Sequence, residues 1–201
     1  GGLGSDNFFT KDDIVDAVFA GGADADVLTA RGRRVAGIRF DGDDGADQLI
    51  VDDPLDVDDR AEVFDELEFN GGDDADVFIN RGRVSRVVFR GGSDADILQN
   101  VRGRISRIRF EGDDGADQFI NEEFAAIEWL EGDDPALQAD QGIDFDGGDD
   151  ADVFINRGRV SRVVFKGGAD ADLLQNQRGR ISRIRFEGDV GADTFINEEF
   201  A

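Results

Sequence analysis

The stretch GGDDADVFINRGRVSRVVFR, residues 71–90, decides the fold because the chain repeats it. It is followed by GGSDADILQNVRGRISRIRFE (91–111) and GDDGADQFINEEFAAIEWLE (112–131), which open with the same turn and continue with the same apolar pattern. Residues 147–200 repeat residues 71–124 with six differences in 54 positions. A fixed period of 20–21 residues along the whole chain is typical of a solenoid.

Each coil offers two short stretches in place of one helix. The first alternates in polarity, as in residues 76–80, and the second is β-branched and aromatic, as in residues 84–89. We therefore predict an all-β fold, a parallel β-helix or β-roll-like solenoid of 20–21-residue coils with right-handed winding. The predicted inward residues are Phe78, Leu98, Phe119, Ile105, Ile108, Phe110, Ile14, Ala17 and Phe19, and the predicted outward residues are Arg86, Arg107, Arg109 and Arg162.

The coils group in threes along one continuous solenoid, 1–201. The triplets are 1–70, 71–146 and 147–201, and the last stops within its final coil. Two acidic segments interrupt the rhythm at triplet ends, 51–64 and 132–146, and we expect either solvated loops or a lateral contact surface there. Equivalent strand ends carry amides that predict a stacked ladder: Asn80, Asn100, Asn121, Asn156, Asn176 and Asn197.

The amino-acid composition narrows the range of possible functions. The 47 acidic against 22 basic residues give a formal charge of −25, which disfavours nucleic-acid and membrane-surface partners. The chain contains no His and no Cys, so it cannot build a Ser-His-Asp triad, a Cys nucleophile, a zinc finger or a disulfide. No run of residues approaches the roughly 18 apolar residues of a membrane span. Hard, oxygen-binding cations are the natural partners of so many carboxylates.

The turn sequences point to one such cation. Residues 1–9, GGLGSDNFF, fit the pattern G-G-x-G-x-D-x-U-x, and eight related turns follow at the coil period, each with Asp in the sixth position. This resembles the hemolysin-type calcium-binding repeat of the RTX family. The resemblance implies that the sixth-position Asp side chains and turn carbonyls bind Ca²⁺ between successive coils, and that folding depends on calcium. The implied ligands, together with the acidic fourth positions, are Asp6, Asp24, Asp26, Asp47, Asp74, Asp76, Asp94, Asp96, Asp117, Asp150, Asp152, Asp170, Asp172 and Asp193.

The turns also depart from that pattern. Five fourth positions hold Asp instead of Gly, and only one half of each coil carries the motif. We therefore expect either a single cation row along one edge or sites with altered geometry. Asp tolerates a left-handed backbone better than most residues, so the turn can survive. Stacking places like charges ~5 Å apart, at a cost of about 1 kcal/mol per pair in water. The alternative is plain Asx turns that face water.

The sequence favours a structural module over an enzyme. We expect a calcium-stiffened rod in a long secreted or cell-surface protein, such as an adhesin, S-layer or fibre, whose uncapped ends associate into filaments. The alternative is a polyuronate-acting β-helix enzyme or its accessory module, but a catalytic site should be a singular departure from the repeat, and the coils show none. An ice- or carbohydrate-binding face is disfavoured because Thr10, Thr29 and Thr194 are too few for a ladder.

Overall fold

The computed structural model describes residues 2–11, 13–31, 35–52, 65–127 and 142–198. All regular structure in these ranges is β-strand, arranged in two parallel sheets that face each other across the core. The sheet of short strands comprises β1 (Asn7–Thr10), β3 (Val27–Ala30), β5 (Gln48–Val51), β7 (Val77–Asn80), β9 (Ile97–Asn100), β11 (Gln118–Asn121), β14 (Val153–Asn156), β17 (Leu173–Gln177) and β20 (Thr194–Glu198). The second sheet comprises β2 (Ile14–Gly22), β4 (Val35–Asp44), β6 (Asp65–Asp73), β8 (Arg83–Gly92), β10 (Arg104–Asp114), β12 (Ala126–Ile127), β13 (Gly142–Asp149), β15 (Arg159–Val160), β16 (Val163–Ala169), β18 (Arg180–Ile181) and β19 (Ile184–Val190).

The strands stack as a β-solenoid of about eight turns of roughly 21 residues, which confirms the predicted fold class. Every pairing between these strands is parallel. Val77 pairs with Ile97, which in turn pairs with Gln118, so one coil returns to the same place after 20 or 21 residues. With ~4.8 Å between strands, eight steps give a rod roughly 40 Å long. The right-handed winding stays a prediction.

Two steps of the stack are longer than the others. The sixth-position aspartates are 29 residues apart between the third and fourth turns and 35 apart between the sixth and seventh. These steps coincide with the predicted acidic insertions 51–64 and 132–146. Val51 and residues 142–146 nevertheless pair in the sheets, so both predicted segments include regular strand. Residues 53–64 and 128–141 lie outside the described residues.

Aromatic side chains fill the core in register. One column of rings runs along the rod with centroid separations of 4.9–5.4 Å: Phe40, Phe69, Phe89, Phe110, Phe145, Phe165 and Phe186. Parallel pairing places identical residues above one another, and each buried ring contributes about 1.5–3 kcal/mol of hydrophobic stabilisation. Of the predicted inward residues, Phe78, Leu98, Phe119, Ile105, Ile108 and Phe110 are fully buried, whereas Ile14, Ala17 and Phe19 are half-buried in the first coil.

The predicted asparagine ladder is present at the end of the short strands. Each side-chain Nδ2 donates to the Oδ1 of the next coil, from Asn80 onward, at 2.7–2.9 Å. The equivalent positions in the first three coils hold Thr10, Ala30 and Val51, so the ladder begins at the fourth. Its members are buried up to Asn176, so the bonds replace water that these amides have lost.

Candidate functional site: the aspartate row

From the second coil onward, the turn before each short strand uses two left-handed backbone positions. The second position of the motif has positive φ, as in Gly72 at 117°, and so has the fourth, as in Asp74 at 74°. All five fourth-position aspartates (Asp24, Asp74, Asp94, Asp150 and Asp170) adopt φ between 67° and 74°, so the predicted tolerance of Asp at this position is confirmed. Their side chains are exposed to solvent. Their shared feature is therefore a backbone conformation.

The sixth-position aspartates form a separate, buried set that we call the aspartate row. It consists of Asp6, Asp26, Asp47, Asp76, Asp96, Asp117, Asp152, Asp172 and Asp193. The seven from Asp26 to Asp172 are at most 1% exposed, and the two end members are half-buried. Burial alternates along the strand, so Asp76, Phe78 and Asn80 all point inward. The row therefore lines one corner of the core, and the asparagine ladder lines the other.

One carboxylate oxygen of each aspartate is occupied by a bond between coils. From Asp26 to Asp193, the Oδ1 of each member accepts the backbone N–H of the member one coil earlier. The bonds run from Asp6 N–H to Asp26 Oδ1 at 2.5 Å through Asp172 N–H to Asp193 Oδ1 at 3.1 Å. These N–H groups lie where the backbone enters the short strand. The row thus continues the inter-strand ladder by one side-chain bond per coil.

The second oxygen of each buried carboxyl sits in a tight space. The Oδ2 atoms of Asp26, Asp47, Asp76, Asp96, Asp117, Asp152 and Asp172 have no hydrogen-bond partner. A Cβ on Gly71 would lie 2.0 Å from Asp76 Oδ2 and 2.6 Å from the carbonyl oxygen of Gly91 in the next coil. The same contact recurs between Gly91 and Asp96 at 2.0 Å. The first glycine of the motif is therefore needed for space beside the aspartate.

Burial raises the pKa of these carboxyls. Removal from water is the largest cause in each case, the N–H of the preceding aspartate lowers the pKa, and neighbouring carboxylates raise it again. The pKa values reach about 8 for Asp76 and Asp117 and about 7 for Asp96 and Asp152. Those of Asp47 and Asp172 reach about 6. A row of bare buried charges is thus disfavoured, and the carboxyls need a proton or another neutralising partner.

The described acidic side chains of one turn do not gather into a metal-binding cluster. The fourth-position and sixth-position acids of one turn do not converge, because the first set faces solvent and the second faces the core. Among the described residues, no group of three or more acidic side chains is placed to hold a metal ion. Calcium binding stays a prediction of the sequence, without a matching multidentate cage in these ranges.

The outer face of the larger sheet carries ion pairs that sequence reasoning did not predict. Arg90 contacts Glu68 at 2.5 Å in the preceding coil and Glu111 at 2.8 Å in the following one. Arg162 contacts Asp144 at 3.0 Å in the same manner. The predicted outward positions of Arg86 and Arg109 are confirmed, since both are exposed. These contacts join side chains of adjacent coils, so predicting them requires the register between the coils.

Comparisons with protein-family models, with curated proteins and with solved structures found no match for this chain. The function is therefore inferred from the geometry of the structure. Across the described ranges, the structure contains no helix of the length and apolarity needed to cross a bilayer.

Proposed function

We propose that this chain is a structural module, a β-solenoid rod segment of a longer secreted or cell-surface protein such as an adhesin, S-layer or fibre. One observation carries the proposal: the short strands and the aspartate row are repeated coil after coil in the same register. A reactive site requires a few residues that differ from their surroundings, whereas a spacer requires uniformity. The proposal is independent of calcium, because it rests on strand pairing and hydrogen bonds.

A polyuronate-acting enzyme is the second candidate, and the groove on the outer face bears on it. This groove has a volume of about 300 Å³ and is lined by Arg39, Glu66, Glu68 and Arg86 among others. Arg39 donates to Asp41 at 2.8 Å, and Arg86 is paired with Glu66. Basic groups held by carboxylates are poorly placed to bind a uronate. The observations therefore favour the structural module, and incubation with polygalacturonate or alginate tests the alternative by product release.

The two end coils supply the surfaces for assembly. The last short strand exposes its inward-facing Phe195 to 42%, whereas the equivalent Leu174 one coil earlier is fully buried. At the other end, β1 and β2 each have a neighbouring strand on one side only. We propose that a further coil of the same pattern covers each end, from an adjoining repeat or from a second copy. Head-to-tail contacts of this kind build filaments.

Sedimentation and electron microscopy test the rod and its association. We expect an elongated particle whose mass rises with protein concentration. Phe195→Lys should abolish the association, because the charge would enter the stacking face. Ile196→Lys is the matched control, because Ile196 is the next residue along the strand and its side chain points to the outer surface. A compact particle would refute the rod, and a monomer at all concentrations would refute the end-to-end contact.

A further inference from the structure

The turns of this chain carry the acidic residues of a predicted calcium row, but the described acidic side chains form no metal cluster, and their carboxyl groups take part in hydrogen bonds between coils. We infer that the aspartate row is a metal-free hydrogen-bond ladder, in which each buried carboxyl closes the turn of the preceding coil. The ladder would do at the start of the short strands what the asparagine ladder does at their end.

The first support is the use of the carboxylate oxygens. Eight successive inter-coil bonds join the backbone N–H of one row member to the Oδ1 of the next. At Asp76, the accepted N–H is that of Asp47 at 2.7 Å, and the N–H of Asp76 itself is accepted by Asp96 at 2.7 Å. A calcium ion that took Oδ1 as ligand would compete with a buried backbone N–H for the same oxygen.

The second support is the first glycine of the motif. Glycines such as Gly71 and Gly91 do not have positive φ, so their backbone conformation is open to other residues. What excludes a side chain is the distance of 2.0 Å between a Cβ on Gly71 and Asp76 Oδ2. The pairing of Gly with Asp five residues later thus has a steric cause within one coil. No metal is needed to explain why these two residues recur together.

The third support is the fourth position of the motif. It is either Asp or Gly along the rod, as in Asp94 and Gly115 of successive coils. Both have positive φ, 72° and 124°. Asp and Gly share tolerance of this conformation and have no common ligand group. The position therefore serves the turn, and the fourth-position carboxylates are not required for closure.

The test uses the full chain with Asp76→Asn, Asp76→Ala and the exposed control Asp74→Asn. Urea unfolding is followed by far-UV circular dichroism in EDTA and in calcium chloride. We expect the wild type to keep its β spectrum and the same urea midpoint in both. Asp76→Asn should retain most of that midpoint, because its amide oxygen can accept the N–H of Asp47. Asp76→Ala should lower the midpoint strongly in both solutions, and Asp74→Asn should leave it unchanged.

Loss of the β spectrum in EDTA with recovery in calcium would overturn the ladder, as would an Asp76→Asn protein that unfolds as readily as Asp76→Ala. Should both Asp76 variants fail to fold, the last rung gives the answer. Asp193 is the last member of the row, and its Oδ1 accepts the N–H of Asp172. Asp193→Asn and Asp193→Ala therefore leave the other hydrogen bonds of the row in place.

Hydrogen exchange of the Asp172 amide then reports on that rung directly. Protection in Asp193→Asn with loss in Asp193→Ala supports the ladder, and equally fast exchange in both variants overturns it. If the particles are rod-shaped but need calcium to fold, the metal-free ladder is overturned and the rod proposal still stands.

Discussion

Replacing Asp117 by Asn should make the rod more stable at alkaline pH. Asp117 Oδ1 accepts the N–H of Asp96 at 2.8 Å, and its carboxyl is fully buried. The amide oxygen of Asn can keep that bond, while the amide group cannot ionise. The substitution therefore isolates the cost of placing a negative charge at this point of the core.

The sign and size of the change in the free energy of unfolding follow from the pKa of Asp117. Burial raises the pKa of Asp117 from 3.8 to about 8, so the folded chain holds this proton more tightly than the unfolded chain. The resulting stabilisation is complete below the unfolded pKa and is lost as pH rises through about 8. At about 1.4 kcal/mol per pKa unit, the advantage of Asn over Asp grows by up to about 4 kcal/mol from about pH 5 to about pH 9. We expect about 2–4 kcal/mol, because the neighbouring Asp96 and Asp152 titrate together with Asp117.

The assay is urea unfolding in EDTA at the two pH values and at constant ionic strength. Asp114→Asn is the matched control, because it removes the same formal charge from an exposed position in the same turn. Its difference from the wild type should stay flat with pH. A pH-independent difference for Asp117→Asn, or a loss of stability at the higher pH, would refute the reasoning.

Three further substitutions test the core, the amide ladder and the turn. Phe110→Ala should cost about 3–5 kcal/mol in urea unfolding, because it removes a fully buried ring from the aromatic column. Asn100→Leu should cost about 2–4 kcal/mol in the same assay, because it removes the acceptor of one N–H of the buried Asn80 amide and the donor to Asn121 Oδ1. Gly91→Ala should destabilise the fold, because its Cβ would lie 2.0 Å from Asp96 Oδ2. Adding Asp96→Gly should relieve part of that loss, which a double-mutant cycle measures.

The fold was predictable because its determinants are local and repeated. The coil period predicts the parallel stack, and alternation along residues 76–80 predicts which side chains enter the core. The same alternation places Asp76 on the inward side with Phe78 and Asn80, which strand parity alone would have revealed. The motif match adds a cation row along these carboxyls, which stays a prediction.

The remaining features depend on contacts between coils and were out of reach. Asp47 and Asp76 are 29 residues apart, and the sequence does not state that the N–H of one meets the carboxyl of the other. The same holds for the ion pairs of Arg90, whose partners belong to the coils before and after it. Nor does composition show where an insertion gives way to a paired strand, as it does at Gly142.

The junction between triplets has a bearing on how such a molecule lengthens. Phe110, Phe145 and Phe165 lie in consecutive strands at matching register, although the first belongs to an earlier triplet than the last. The strand register across this junction is therefore the same as at the other levels of the stack. Duplication of a block of 76 residues in the gene would add three levels, and so roughly 14 Å to the length of the rod, without requiring a new type of contact. The close identity of residues 71–124 and 147–200 is the pattern that growth by such copying would leave.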